Sequence, residues 1–384
     1  ENLKVMYYNL LKFPDVADRA DTLKNIIQHT QPDIFVVNEL KNIYGANLIM
    51  THAMNVDGVS HYSQAVFQDA NGSDTDNHLY YNSTKVGFIE QNNINANTRA
   101  ISEYVLYYKD PNLAQTNDTT FLYVYGCHLK AGNASDISTG GGNTLTNGER
   151  RGAAVLAFKN YLTNHSRTKN IIVGGDMNTY SSSEVAYSNF ISAGTMNLID
   201  PIGQTGNWNN SYSFRNIHTQ STRGSSVTNP YGGGSTGGMD DRFDMIFVSN
   251  DIMNGSQGAQ YVNNSYKAVG QDGNHYNNSI NSGTNTAVPQ DVAKSLFYMS
   301  DHLPVMLEVQ VGGPVSIQQQ EDLITTLSFN SETRVLSVDF EKEHQLIDLQ
   351  VVSLSGQQIV RKQFYNTSTL SDYFSELGTG MYII

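Results

Sequence analysis

The sequence predicts an α/β protein with one large mixed domain followed by a small β-sandwich. Three observations carry this expectation. The chain opens strand, helix, strand, the order of a βαβ-like unit. Apolar strand-like runs recur over the first three hundred residues and repeatedly meet an acid, an amide or a histidine at one end. After Gly312-Gly313-Pro314 the helical periodicity stops and only short strand patterns remain.

Residues 3–9 alternate as a strand and end in Asn9. Residues 15–29 carry Val16, Ala20, Leu23 and Ile27 at helical spacing, which predicts an amphipathic helix that Pro32 and Asp33 terminate. Ile34-Phe35-Val36-Val37 is a second buried strand and runs into Asn38-Glu39. Strands are expected near residues 62–67, 79–81, 86–90, 102–109 and 119–127, the last leading into His128. A polar loop over 132–148 precedes a helix with Ala153, Leu156, Ala157 and Tyr161 on one face.

Next comes Asn170-Ile171-Ile172-Val173-Gly174-Gly175-Asp176-Met177-Asn178, a buried strand whose glycines free the backbone where Asp176 and Asn178 follow. A helix is expected over 184–193, long polar loops over 205–240 and 255–289, and a strand over 241–248 containing Asp244. Asp301-His302 leads into a strand that closes the large domain at 1–312. Residues 313–322 read as a linker and 323–384 as the sandwich, with strands at 324–329, 335–340, 347–354, 358–365 and 381–384. Gly232 to Gly237 fits G-x-G-x-x-G, but it follows no strand and opens no helix, so the match is compositional.

At 384 residues and 39% hydrophobic, the chain has material for one large and one small core. A net charge of −13 argues against a protein that coats nucleic acid through a basic face. It leaves room for an enzyme that meets phosphates through bound cations. The single cysteine, Cys127, excludes an intrachain disulfide and sits in an apolar strand as a buried thiol. No apolar run is long enough to span a membrane. The start at Glu1 leads us to expect a removed export signal or a trimmed chain.

Each polar residue at a strand end has an ordinary explanation as a turn or capping residue. Asn9, Glu39, His128, Asp176, Asn178, Asp244, Asp301 and His302 together make a different set. Their carboxylates are hard donors suited to Mg²⁺ or Mn²⁺, and their histidines can move protons.

The motifs Tyr-Asn-Leu (8–10), Asn-Glu-Leu (38–40), Gly-Cys-His-Leu (126–129), Gly-Gly-Asp-Met-Asn (174–178), Arg-Phe-Asp-Met-Ile-Phe-Val-Ser (242–249) and Ser-Asp-His-Leu-Pro-Val (300–305) occur in this order. The chain thereby resembles the endonuclease/exonuclease/phosphatase superfamily over about residues 1–312. That superfamily groups deoxyribonuclease I, abasic-site endonucleases, sphingomyelinases and inositol polyphosphate 5-phosphatases. The resemblance implies a four-layer α/β sandwich, two packed mixed sheets flanked by helices.

It also implies roles. Glu39, supported by Asn9, holds a divalent cation, with Asp301 in or near its shell. His302 and Asp244 form an imidazole–carboxylate couple. Asp176 orients or deprotonates water, and Asn178 holds a phosphate oxygen or a second cation. His128 matches the second histidine of the deoxyribonuclease I branch, and Arg99 its phosphate-contacting arginine. The glutamate that pairs with this histidine in that branch has no match in residues 66–78, and loop 205–240 matches no subfamily.

Residues 351–357 and 377–384 resemble the type IX secretion sorting domain of Bacteroidetes, which implies export to the cell surface or medium. The expectation is therefore a secreted, monomeric, Mg²⁺- or Mn²⁺-dependent phosphodiesterase, first of all a nuclease. It would meet nucleic acid as substrate and the type IX machinery as partner. A structural Ca²⁺ in the loops is left open. The alternatives are a phospholipid or phosphoinositide hydrolase, and a non-catalytic binding protein on the same fold.

Overall fold

The computed structural model describes residues 1–384 apart from 17, 71–74, 97, 112–118, 138–143, 193–195, 229, 231–232, 313–323, 354–357, 376, 378–381 and 384. The chain divides into two compact units, Glu1–Ser316 and Ile317–Ile384. The expected linker at 313–322 lies outside the described residues.

In the large unit, β1 (Asn2–Phe13), β2 (Ile34–Leu40), β3 (Tyr62–Gln64) and β4 (Asp76–Asn82) join β11 (Ala259–Tyr261), β12 (Lys267–Ala268) and β13 (Val305–Val311) in one mixed sheet. Its order is β11-β13-β1-β2-β4-β3, with β12 also on β13. The second sheet runs β5 (Val86–Ile94), β6 (Ile101–Tyr108), β7 (Phe121–His128), β8 (Ile171–Asp176), β10 (Asp244–Ser249), β9 (Leu198–Ile199).

Alternation along β1 explains the layering. Val5 and Tyr7 point toward the second sheet and pack with Leu106, Val124, Ile172 and Ile246. Met6 and Tyr8 point the other way, against Leu23 and Ile27 of α1 (Arg19–Thr30) and Leu296 of α6 (Gln290–Met299). On the far side, Tyr125, Val173 and Phe247 are covered by Phe158 of α3 (Asn147–Asn164) and Phe190 of α4 (Val185–Ser192). Helix, sheet, sheet, helix are the four layers expected. Cys127 is buried and free in this last core.

Most strands of the large unit were placed within a few residues, but β9 was not read, β11 and β12 fall within the polar loop expected over 255–289, and three helices were not read from the sequence: α2 (Ile43–Ile49), α5 (Asn250–Asn254) and α6. The first is started by Asn42, whose side chain accepts from the Gly45 amide at 2.9 Å, and it continues into a wider-turn segment, Met50–Met54. The last presents Val292, Ala293, Leu296 and Phe297 on one buried face, a periodicity that was there to be read.

Register sets where the functional side chains fall. In the first sheet β1 and β2 are parallel, with Asn9 opposite Asn38, while β13 is antiparallel to β1. In the second sheet His128 lies opposite Asp176 in a parallel pair, and Asp176 opposite Asp244 in an antiparallel one. The ends of parallel strands and the starts of their antiparallel neighbours thus meet at one edge of the double sheet. That is why the polar residues alternately close and open their strands.

The small unit is a separate antiparallel sheet of β14 (Ile324–Asn330), β15 (Val335–Ser353), β16 (Gln358–Tyr373) and β17 (Tyr382–Ile383). The strands expected at 335–340 and 347–354 form one continuous β15, with register shifts between Asp339 and His344 and between Val351 and Val352. Leu336, Val338, Val351, Val360 and Phe374 form its own core.

Candidate active site

Two glycines at the exit of β8 make the close approach of the sheets possible. A side chain at Gly174 would fall 2.6 Å from the Tyr7 ring. Gly175 has φ +129° and would place a Cβ 2.1 Å from the Cys127 carbonyl oxygen and 2.7 Å from Asn38 Oδ1. With no side chain there, Asn38 reaches across and accepts from the Asp176 amide at 3.2 Å. Asn38 is itself fixed by donating to Asn77 Oδ1 at 2.6 Å.

Asp176 is the hub. Its Oδ1 accepts from the Asn178 amide at 3.0 Å, and its Oδ2 from Asn9 Nδ2 at 3.1 Å. His128 Nε2 stands 3.4 Å and His302 Nε2 3.7 Å from that same Oδ2. The Asp176 side chain is buried, and burial raises its proton affinity. The nearby His302 opposes this rise, while Asp244 and Glu39 add to it.

His302 Nδ1 is 2.8 Å from Asp244 Oδ2, and the Asp244 amide donates to Thr219 Oγ1 at 3.0 Å. This couple holds the ring with its proton on Nδ1. Burial works against a second proton on His302, but Asp244, Asp176 and Asp301 outweigh it and push its affinity well above that of free histidine. His128 is the opposite case. Burial, then Arg99 and His302, hold it well below the ordinary range, so the two histidines differ in their pull on a second proton.

Glu39 and Asp301 complete the floor. Asn9 Nδ2 donates to Glu39 Oε1 at 3.2 Å and the Lys12 amide donates to Oε2 at 3.1 Å. Asp301 Oδ2 accepts from the Ser235 amide at 2.6 Å and from Gln220 Nε2 at 3.2 Å. Glu39, His128, Asp176, Gln220, Asp301 and His302 line a cleft of about 390 Å³ together with Asn178, Tyr180 and Phe243. Four non-glycine residues of its wall have left-handed backbones: Leu11 (φ 48°), Lys12 (φ 51°), Glu39 (φ 57°) and Asn178 (φ 50°). Register shifts in β1 and β2 accompany them and turn Glu39 toward the cleft.

A hard cation such as Mg²⁺ is held by one or two carboxylates, with water and substrate oxygens completing its shell. Among the described residues no three His, Cys, Asp or Glu side chains are gathered into a ready-made cage. Glu39 and Asp301 do fit the lighter requirement, because Asp301 Oδ1 is buried with no hydrogen-bond partner among the described residues. Asn9 is placed as a brace. Its oxygen accepts from the Leu11 amide at 2.9 Å and its nitrogen faces Glu39 and Asp176.

Eight of the nine residues singled out in the sequence gather here. Arg99 does not reach the cleft: its guanidinium donates to the Leu129 carbonyl at 2.5 Å, as Asn178 Nδ2 does at 3.2 Å. Arg99 therefore fixes the backbone beyond His128, and its charge is felt by Asp176 and Glu39. Nδ1 of His128 has no partner among the described residues, in keeping with the missing glutamate. Gln220, Ser235 and Thr219 were not recognised, because they come from loop 205–240, where neither periodicity nor motif marks them. Gln220 Nε2 lies 2.6 Å from His302 Nε2.

The sequence profile of the Endonuclease/Exonuclease/phosphatase family matches residues 6–302. No curated protein sequence matches the chain. Among solved structures, a humanised TDP2 of D. rerio is similar with TM-score 0.49 and 15% identity, covering 81% of this chain and 99% of that one. A mannosyl-6-phosphatase of Bacteroides thetaiotaomicron gives 0.47 and 15%, covering 80% and 99%. The human Nocturnin catalytic domain gives 0.45 and 17%, covering 81% and 94%. The profile spans most of the chain, from β1 to the Asp301–His302 pair, and the protein belongs to the Endonuclease/Exonuclease/phosphatase family.

Proposed function

We propose that this protein is an exported, divalent-metal-dependent phosphodiesterase that hydrolyses polynucleotides. One observation carries the chemistry: a buried carboxylate, Asp176, faces the His302–Asp244 couple across 3.7 Å, with Glu39 and Asp301 on the same cleft floor. Attack of water on phosphorus needs a base for the water proton and positive charge at the phosphoryl oxygens. Asp176 is the base, oriented by Asn9 and the Asn178 amide and made more basic by burial.

Attacking and leaving oxygens lie in line on opposite sides of phosphorus. Two groups 3.7 Å apart cannot flank both ends, so His302 serves a phosphoryl oxygen on the side of the attacking water. Asn178 and the neutral His128 line the same wall. The new P–O bond forms as the bond to the leaving oxygen breaks, and the water proton passes to Asp176. Glu39 and Asp301 would hold a divalent cation, which would supply positive charge against the charge that develops in the transition state.

Polynucleotide is favoured by the basic side chains grouped along this edge of an otherwise acidic protein. Lys12 lines the cleft. Lys130 is half-buried and adjoins Ala131 and Gly132 of the cleft lining. Such a group suits the phosphates that flank a scissile bond. Export rests on the resemblance of the C-terminal unit to a sorting domain.

The test is a panel of single-stranded DNA, RNA, plasmid, sphingomyelin, a phosphoinositide and a sugar phosphate, each with Mg²⁺, Mn²⁺ or chelator. Polynucleotide cleavage that is lost in chelator is expected. Full activity in chelator overturns the metal assignment, and rapid lipid turnover with intact polynucleotide overturns the substrate.

A further inference from the structure

We propose that Tyr212, Arg215 and Tyr276 form a subsite that stacks a nucleobase next to the scissile phosphate of a single-stranded substrate. The inference rests on the polynucleotide reading above and makes it specific. Tyr212 opens a short 3₁₀ turn, Tyr212–Phe214, in loop 205–240. Phe214 anchors that turn by packing against the core beneath α3 and α4. Tyr212 takes no part in the anchoring and stays 60% exposed.

The exposed ring is not left loose. The Arg215 guanidinium lies 4.1 Å from its centroid, and the Tyr276 ring meets it edge-to-face with centroids 5.4 Å apart. Tyr276 comes from the other long loop and donates through its hydroxyl to Asn210 Oδ1 at 2.8 Å. Asn209, the next residue back, donates its amide to the Tyr180 carbonyl at 3.3 Å. Tyr180 lines the cleft. A rigid aromatic surface with a cation on it is therefore tied to the cleft wall by one short strip of backbone.

Aromatic rings backed by arginine are the surface to which unpaired bases bind, through stacking and cation–π attraction, with little dependence on base identity. A base inside a duplex keeps its faces against its neighbours and cannot use such a platform. The expected ligand is therefore the exposed base of a single strand. A lipid chain or an inositol ring offers no π-face to it.

The test uses a short single strand with one cleavable linkage, from which the base at each neighbouring position is removed in turn. Stacking on an aromatic side chain is worth roughly 5- to 150-fold. Removing one particular base should lower kcat/KM by that order. Tyr212→Ala should cause a similar loss on the intact strand and none on the strand lacking that base, and Tyr212→Phe should restore the rate. If Tyr212→Ala changes both strands equally, or neither, the platform is loop packing only, and the nuclease reading stands without it. If no oligonucleotide is cleaved while other phosphate esters are, the nuclease reading fails first and takes this inference with it.

Discussion

Gln220 places its side-chain nitrogen 2.6 Å from His302 Nε2 and 3.2 Å from Asp301 Oδ2, so one amide tethers the imidazole and the carboxylate beside it. In this arrangement the amide donates to both, which suits a ring whose only proton is on Nδ1, held by Asp244 at 2.8 Å. The surrounding carboxylates pull a second proton toward Nε2. Taking it up requires the amide to turn its oxygen inward, which breaks its bond to Asp301. Protonation of His302 and freedom of Asp301 are thereby coupled through one side chain.

Gln220→Leu removes both donors while keeping bulk. Hydrogen bonds to charged groups contribute about 1.5–3 kcal/mol, so kcat/KM should fall roughly 10- to 150-fold. The imidazole should also hold its second proton to higher pH than in the native protein, because the N–H that favours the neutral ring is gone. Nitrogen chemical shifts of His302 across a pH titration read this directly. An unchanged titration would show that Gln220 only fills space.

Much of this site could be read from the chain, for a physical reason. Glu39, His128, Asp176 and Asp244 end or begin buried apolar strands, and the two-residue alternation of a strand makes such ends visible in one dimension. Gln220, Ser235 and Thr219 are equally close to the chemistry, but their loop has no period to betray them. Arg99 shows the converse limit. Its position in the chain suggested a phosphate contact, whereas its hydrogen bond to the Leu129 carbonyl depends on three-dimensional packing that no motif encodes. α6 was missed although its apolar spacing was regular, and α2 because seven residues hold too few turns to show a period.

Stability should depend on Glu103, far from the cleft. Its buried carboxylate accepts from Tyr125 at 2.7 Å, Tyr161 at 2.8 Å, Asn92 at 2.9 Å and Arg167 at 3.0 Å. Burial opposes ionisation, but these donors outweigh it and hold the proton affinity below that of a free glutamate. A depressed folded-state pKa gives stability that is present above the unfolded value of about 4.3 and lost as pH falls through the folded value. Glu103→Gln should therefore destabilise at pH 7, by about 1.5–3 kcal/mol, the worth of hydrogen bonds to a charged group, and flatten the acid side of the stability profile. Denaturant midpoints measured from pH 3 to 8 check both signs.

The two compact units should be separable. A chain ending at Ser316 retains β13 and the bond from the amino terminus to the Val311 carbonyl at 2.9 Å, and it loses only a core that is wholly its neighbour's. It should unfold cooperatively, with unchanged specific activity, but should not be exported from a host carrying the type IX machinery. Loss of cooperative unfolding would show that the C-terminal unit is part of the catalytic fold.

Asp176 gives the sharpest test of the mechanism. Burial raises its proton affinity, so the carboxylate needed as base exists only above a pKa lying higher than the ordinary value of about 3.9. The rate should therefore fall as pH drops through that raised value, earlier than a solvent-exposed aspartate would allow. Increasing Mg²⁺ should move this acid limb to lower pH, since a cation on the neighbouring Glu39 and Asp301 favours the ionised form. Asp176→Asn should cost roughly 10²- to 10⁴-fold in kcat and leave no acid limb from this group. Combined with His302→Ala the losses should not multiply, because both side chains serve one transition state. A limb that ignores Mg²⁺ and survives in Asp176→Asn would assign the base to another residue.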